Sequence, residues 1–139
     1  MVKLLIGHKG TGKTKTMVDM ANSGLEKVNG SVVFINKNHR LMYDLKYRIR
    51  VICMEEYEQI QNIDEYVGFI MGVVSQDNDI EMVFIDSILK HADISLDNLE
   101  EFFERLSDIS TTYGPDFIVS ISAEREELGE YINKYQIIN

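Results

Sequence analysis

Gly7-His8-Lys9-Gly10-Thr11-Gly12-Lys13-Thr14 is the stretch on which the reading of this chain turns. Ahead of it stands Val2–Ile6, an apolar run with one lysine, the pattern of a strand buried on both faces. Behind it Met17, Ala21, Leu25 and Val28 recur at helical spacing, with Val18 beside them. A glycine-rich loop between a strand and a helix has a physical use. Gly7, Gly10 and Gly12 let the backbone take angles that other residues resist, so successive N–H groups converge on an anion. The positive end of the following helix adds to the same spot. The loop matches G-x-x-x-x-G-K-[ST] without a departure. In that pattern Lys13 sets its ammonium against the β- and γ-phosphates of a nucleotide, and Thr14 offers its hydroxyl to Mg²⁺. His8, Lys9 and Thr11 fill the variable positions and count with the loop as nucleotide-binding; His8 either touches a phosphate or faces solvent.

Working outward, apolar runs and helical patterns alternate. A helix is expected over Gly12–Val28, stopped in a left-handed conformation by Asn29-Gly30. Ser31–Ile35 and Ile49–Met54 read as strands, and Ile60, Ile63, Val67, Ile70, Met71 and Val74 mark a helix near residues 57–75. Met82–Ile85 is a further strand. Asp97–Tyr113 is a helix with Leu99, Phe102, Phe103, Leu106 and Ile109 inward, a capping box of Asp97 with Glu100, and a stop at Gly114-Pro115. Phe117–Ile121 is the next strand, Glu124–Lys134 a short helix and Gln136–Ile138 an edge strand. The alternation predicts an α/β fold, a mainly parallel sheet with helices on both faces, in one domain over residues 1–139. Ligands of such sheets sit at the carboxyl ends of the strands, here Gly7–Thr14, Asn36–Arg40, Glu55–Tyr57, Asp86–Lys90 and Ser122–Arg125.

Charge narrows the partners. The chain carries a net −9, yet residues 1–16 hold four lysines and no acid, which leaves ten basic against 23 acidic residues in the remainder. An acidic body argues against broad nucleic-acid binding, whereas the basic N-terminal stretch suits one small polyanion. The single cysteine, Cys53, excludes an intrachain disulfide and follows an apolar stretch, as a buried inert thiol would. The longest apolar run, Val67–Val74, falls far short of the roughly 20 residues that span a bilayer. The first strand begins almost at once and leaves no room for a signal peptide, so a cytoplasmic protein without membrane contact is expected.

Met82-Val83-Phe84-Ile85 runs into Asp86. An aspartate at such a strand end either holds Mg²⁺ beside the phosphate loop or caps the next turn. With the loop, this resembles a P-loop NTPase, and the layout is similar to the RecA-like branch: Asp86-Ser87 resembles the Asp-Ser of many RecA-like and KaiC-like ATPases. Small clostridial-type ATP-binding proteins are also similar. The resemblance covers most of the chain as an order of elements but only Gly7–Thr14 and Met82–Ser87 as motifs. It implies ATP and Mg²⁺ as ligands, Lys13 and Asp86 as catalytic residues, and Thr14 with Asp86 on the metal.

Departures qualify the activity. Many P-loop ATPases carry a water-activating glutamate directly after the metal aspartate, where this chain has Ser87. RecA-like enzymes can take it from a neighbouring strand end; Glu55 or Glu56 either fills that role or stands as a solvated residue before a helix. Ser120 and Ser122 interrupt an apolar strand and either sense the γ-phosphate or bond the local backbone. Asn36, Asn38, His39 and Arg40 read a substrate or a γ-phosphate, or form a polar loop, and Arg40 and Arg125 are candidate phosphate-neutralising arginines. GTP is disfavoured: Asn36-Lys37-Asn38-His39 lacks the final aspartate of N-K-x-D and precedes Asp86, and Leu89 stands where D-x-x-G needs glycine. The expected function is therefore a Mg-ATP-binding protein, a slow or partner-dependent ATPase or switch, with a homo-oligomer or protein partner possible. The alternatives are a small-molecule, nucleoside-type kinase and a non-hydrolysing regulatory module.

Overall fold

The computed structural model describes residues 1–41 and 43–139. Six strands form one sheet: β1 (Val2–Gly7), β2 (Ser31–Asn36), β3 (Arg50–Cys53), β4 (Ile80–Ile85), β5 (Asp116–Ser122) and β6 (Gln136–Ile137). Their order is β3-β2-β4-β5-β1-β6, and every pairing is parallel. Among the described residues three α-helices join successive strands: α1 (Lys13–Lys27) between β1 and β2, α2 (Ile63–Gln76) between β3 and β4, and α3 (Leu99–Tyr113) between β4 and β5.

Side chains alternate across the strands and give two apolar layers. Leu4, Ile6, Val33, Ile35, Val83 and Ile85 face α2 and α3, which contribute Tyr66, Ile70, Phe102, Phe103 and Leu106. Leu5, Val32, Phe34, Phe84 and Ile118 face α1, through Met17, Val18, Ala21 and Leu25, with Leu45 and Ile49 completing that layer. Phe34 and Phe84 stack across the adjacent strands β2 and β4, ring centroids 5.8 Å apart. Both faces are thus covered, as the alternation of elements predicts. No described helix is long and apolar enough to cross a membrane.

Four local expectations need correction. Asn29-Gly30 is not a left-handed stop: α1 ends at Lys27, where the extended Val28 donates its N–H to the Gly24 carbonyl at 3.1 Å. Gly30 answers a close approach instead, since a Cβ there would lie 1.9 Å from the Asp79 carbonyl oxygen. The second helix begins at Ile63, not near 57, because Tyr57 and Ile60 close turns and the Asn62 side chain caps Glu65 N–H at 2.9 Å. No box forms between Asp97 and Glu100; α3 starts after Asn98, whose amide is spent on Ser95 N–H and the Asp93 carbonyl. The segment 124–134 is two 3₁₀ turns, Arg125–Glu127 and Glu130–Lys134, with extended Gly129 between them, so the chain can fold back and lay β6 beside β1. Gly114, at φ 99°, ends α3 as expected.

Candidate functional site

β1 and β4 are not neighbours: β5 runs between them, so the loop after β1 and the acid after β4 face each other across one intervening strand. Gly10 and Gly12 take φ of 87° and 84°, a region costly for any residue with a Cβ, and Gly12 caps α1. The His8 carbonyl ties the loop together, accepting from the Thr11 hydroxyl at 2.7 Å and the Lys13 ammonium at 2.6 Å. Lys13 is buried, and burial pulls its pKa below the usual lysine value; Asp86 opposes that shift and Lys90 reinforces it. On the exposed rim the His8 ring lies against the Glu124 carboxyl group, just beyond β5.

Asp86 is 3% exposed, and each of its carboxylate oxygens accepts one hydrogen bond. Thr14 donates its hydroxyl to Oδ2 at 2.9 Å, and Ser120, on β5 and fully buried, donates to Oδ1 at 2.7 Å. Ser120 also accepts the Ser87 N–H at 2.7 Å. Ser120 thus bonds backbone, though that of Ser87 on the neighbouring strand end and not its own, and fixes the carboxylate as well. Ser87 sits in the left-handed region, φ 58°, which costs a non-glycine residue about 1 kcal/mol or more. The bond to Ser120 and the acceptance of Lys90 N–H by its carbonyl hold it there.

Behind Asp86 lies a buried polar chain. His91 is fully buried; its Nε2 lies 2.7 Å from the Asp86 carbonyl oxygen and its Nδ1 3.3 Å from the Tyr66 hydroxyl. A carbonyl only accepts, so Nε2 carries the proton and Nδ1 accepts from Tyr66. Burial lowers the His91 pKa from 6.5 to about 4, against the raising effect of its bond to Asp86, so the ring is neutral at pH 7. Tyr66 belongs to α2, so the layer packed on one face of the sheet reaches the Asp86 backbone through His91.

The remaining sequence candidates separate. Asn36, Lys37, Asn38, Arg40, Ser87 and Lys90 line, with Thr14 and Asp86, a depression of about 310 Å³. Glu55 lies on the 3₁₀ turn after β3, the outermost strand, and lines a different depression with Tyr57 and Glu58. His39 does not line the site; its Nδ1 is 3.1 Å from the Cys53 sulfur and its Nε2 2.6 Å from Glu56. Cys53 is buried as expected, and burial pushes its thiol pKa up, with Glu56 and Glu55 adding to the shift. Arg125 is 3.4 Å from Asn133 Oδ1.

No protein-family model and no curated protein matches this chain. Among solved structures, the flagellar accessory protein FlaH from Methanocaldococcus jannaschii is similar over 96% of this chain, with 14% identity and a TM-score of 0.59. The chain spans 65% of the length of that FlaH chain. At this identity the likeness speaks for the fold alone, a parallel α/β sheet with helices on both faces.

Sequence reasoning missed Tyr66 and His91, neither of which gave a signal; Lys37 and Lys90 fell within the strand-end segments Asn36–Arg40 and Asp86–Lys90 without being singled out.

The chemistry of the site is that of hard oxygen donors. Asp86 is a buried carboxylate with two hydroxyl donors and no ion pair among the described residues, an arrangement that favours a cation beside it. No cluster of three or more His, Cys, Asp or Glu able to hold a metal occurs among the described residues.

Proposed function

We propose that this chain binds a nucleoside triphosphate, ATP by preference, with Mg²⁺, and acts as a slow or partner-dependent ATPase or switch. The observation that carries the reading is the 2.9 Å bond between Thr14 and Asp86, residues 72 positions apart brought together at the mouth of a glycine loop. In this reading the N–H groups of Gly7–Thr14 cradle the phosphates, with His8, Lys9 and Thr11 lending backbone, and Lys13 neutralises the β- and γ-phosphates. Thr14 and Asp86 would hold Mg²⁺, which when bound offsets the charge that develops on the transferred phosphoryl. Ser120 and His91 keep Asp86 aimed.

Slow turnover follows from the absence of a glutamate after Asp86; Ser87 supplies a hydroxyl and no base. A second copy or another protein that brings the missing group is part of the proposal, as is a cytoplasmic location. A kinase acting on a small molecule is the second reading, favoured by the depression beyond Asp86.

Metal dependence tests the assignment. ATP should bind the wild type at least tenfold more tightly with Mg²⁺ than with EDTA, and Asp86→Asn should erase that difference while leaving metal-free binding. Equal metal dependence in the two proteins would remove Asp86 from the metal.

A further inference from the structure

Two depressions flank the phosphate loop, and they share no lining residue. One, about 320 Å³, lies on the β6 side along Gly7, Lys13, Thr16 and Ile138, where the nucleoside end of a loop-bound nucleotide finds room. The other, about 310 Å³, opens beyond Thr14 and Asp86 towards the ends of β2 and β4. That volume reaches the lower end of the range of small-molecule sites, more than a terminal phosphate fills.

Its lining is chemically lopsided. Lys37, Arg40 and Lys90 converge on it, and none makes an ion pair among the described residues, although acids outnumber bases 23 to 14 in the chain. Asp86 is the only carboxylate of the lining, and its oxygens already accept from Thr14 and Ser120. A depression built to activate water would present a free carboxylate; this one presents cations.

The segment carrying two of those cations is set in advance. Asn36 donates its amide to the Asn38 carbonyl at 3.2 Å, and the Asn38 side chain accepts Arg40 N–H at 3.0 Å. These bonds fold residues 36–40 into a tight turn at the end of β2 and place Lys37 and Arg40 on one side of the depression, with Lys90 from beyond β4 also lining it. Several cations around one space fit a dianion better than a single carboxylate.

We infer that this depression binds a second small ligand bearing a phosphate group, held at the same time as the nucleotide. The inference rests on the nucleotide reading above and adds a substrate or effector class to it.

The test is calorimetric, on the full chain. The protein is first saturated with Mg²⁺ and a non-hydrolysable ATP analogue, which fills the loop; failure of that step sinks the nucleotide reading, and this inference with it, by its own signature. Inorganic phosphate and glycerol 3-phosphate are then titrated separately into the saturated protein. One-to-one binding of either is expected, weakened about tenfold by Arg40→Ala or Lys90→Ala and unchanged by Arg105→Ala, a charge control on α3 outside the depression. The tighter of the two probes tells a phosphate ester from free phosphate as the ligand. Phosphate that binds only without the analogue would reduce the depression to a terminal-phosphate pocket and overturn the inference. So would binding that survives the Arg40→Ala, Lys90→Ala double variant, or no binding of either probe.

Discussion

The glycine loop Gly7–Thr14 and the end of β4 lie side by side but are built in opposite ways. The loop is local: Gly7–Thr14 is contiguous, its internal bonds run from Thr11 and Lys13 to the carbonyl of His8, and much of it is exposed. The strand end is convergent: Asp86 is buried and takes its partners from α1, β5 and, through His91, from α2. A local device can lose a side chain without unfolding the protein. A convergent one ties ligand binding to stability, because each partner removed leaves a buried polar group unpaired.

The contrast would break first at His91. His91→Leu leaves the Asp86 carbonyl and the Tyr66 hydroxyl without their partner in the core, and should cost about 3 kcal/mol in urea unfolding. His91→Gln, whose amide can still donate to the carbonyl, should recover part of that loss. If the Leu variant is as stable as the wild type, the strand end is not held from behind. Ser120→Ala comes next, at about 2 kcal/mol, since it strips a donor from the carboxylate and an acceptor from Ser87 N–H.

The same histidine gives a pH dependence with a definite sign. Its folded pKa of about 4 lies below the ordinary histidine value of 6.5. Between those values the unfolded chain takes up a proton that the folded chain refuses, so stability falls as pH drops through that window and is unaffected above it. Lowering the pH from 7 to 5 should remove about 2 kcal/mol from this source, a loss absent in His91→Gln. An identical loss in the variant would assign it to other groups.

The smallest effect is expected at Glu55. Glu55→Gln, on an exposed turn away from Thr14 and Asp86, should change stability by less than about 0.5 kcal/mol and leave any hydrolysis rate unaltered. A marked drop in rate would bring the outer strand end into the chemistry after all.

The same division explains what the sequence disclosed. Strands and helices were legible because burial on both faces imposes continuous apolar runs on strands such as Val83–Ile85 and a 3.6-residue period on helices such as Leu99–Ile109. The loop was legible because its requirements fall on neighbouring residues. Helix ends were read less well: Asp97 and Asn29 have the chemistry of caps and stops, but which polar residue takes the role depends on turns the pattern does not encode. His91 and Tyr66 were invisible because their pairing is a fact of packing between α2 and the segment after β4, and neither residue sits in a motif. Arg40 was legible as a candidate phosphate-neutralising arginine and Lys37 and Lys90 as members of two strand-end segments, but that the three line one depression follows from the sheet order.

The central claim is that Gly7–Thr14 is a working nucleotide site, and calorimetric titration of Mg-ATP into wild type and Lys13→Ala tests it most directly. The account predicts one-to-one binding to the wild type and a loss of tenfold or more in the variant, with the two proteins equally stable in urea. Binding of equal strength in both, or none by the folded wild type, would contradict it.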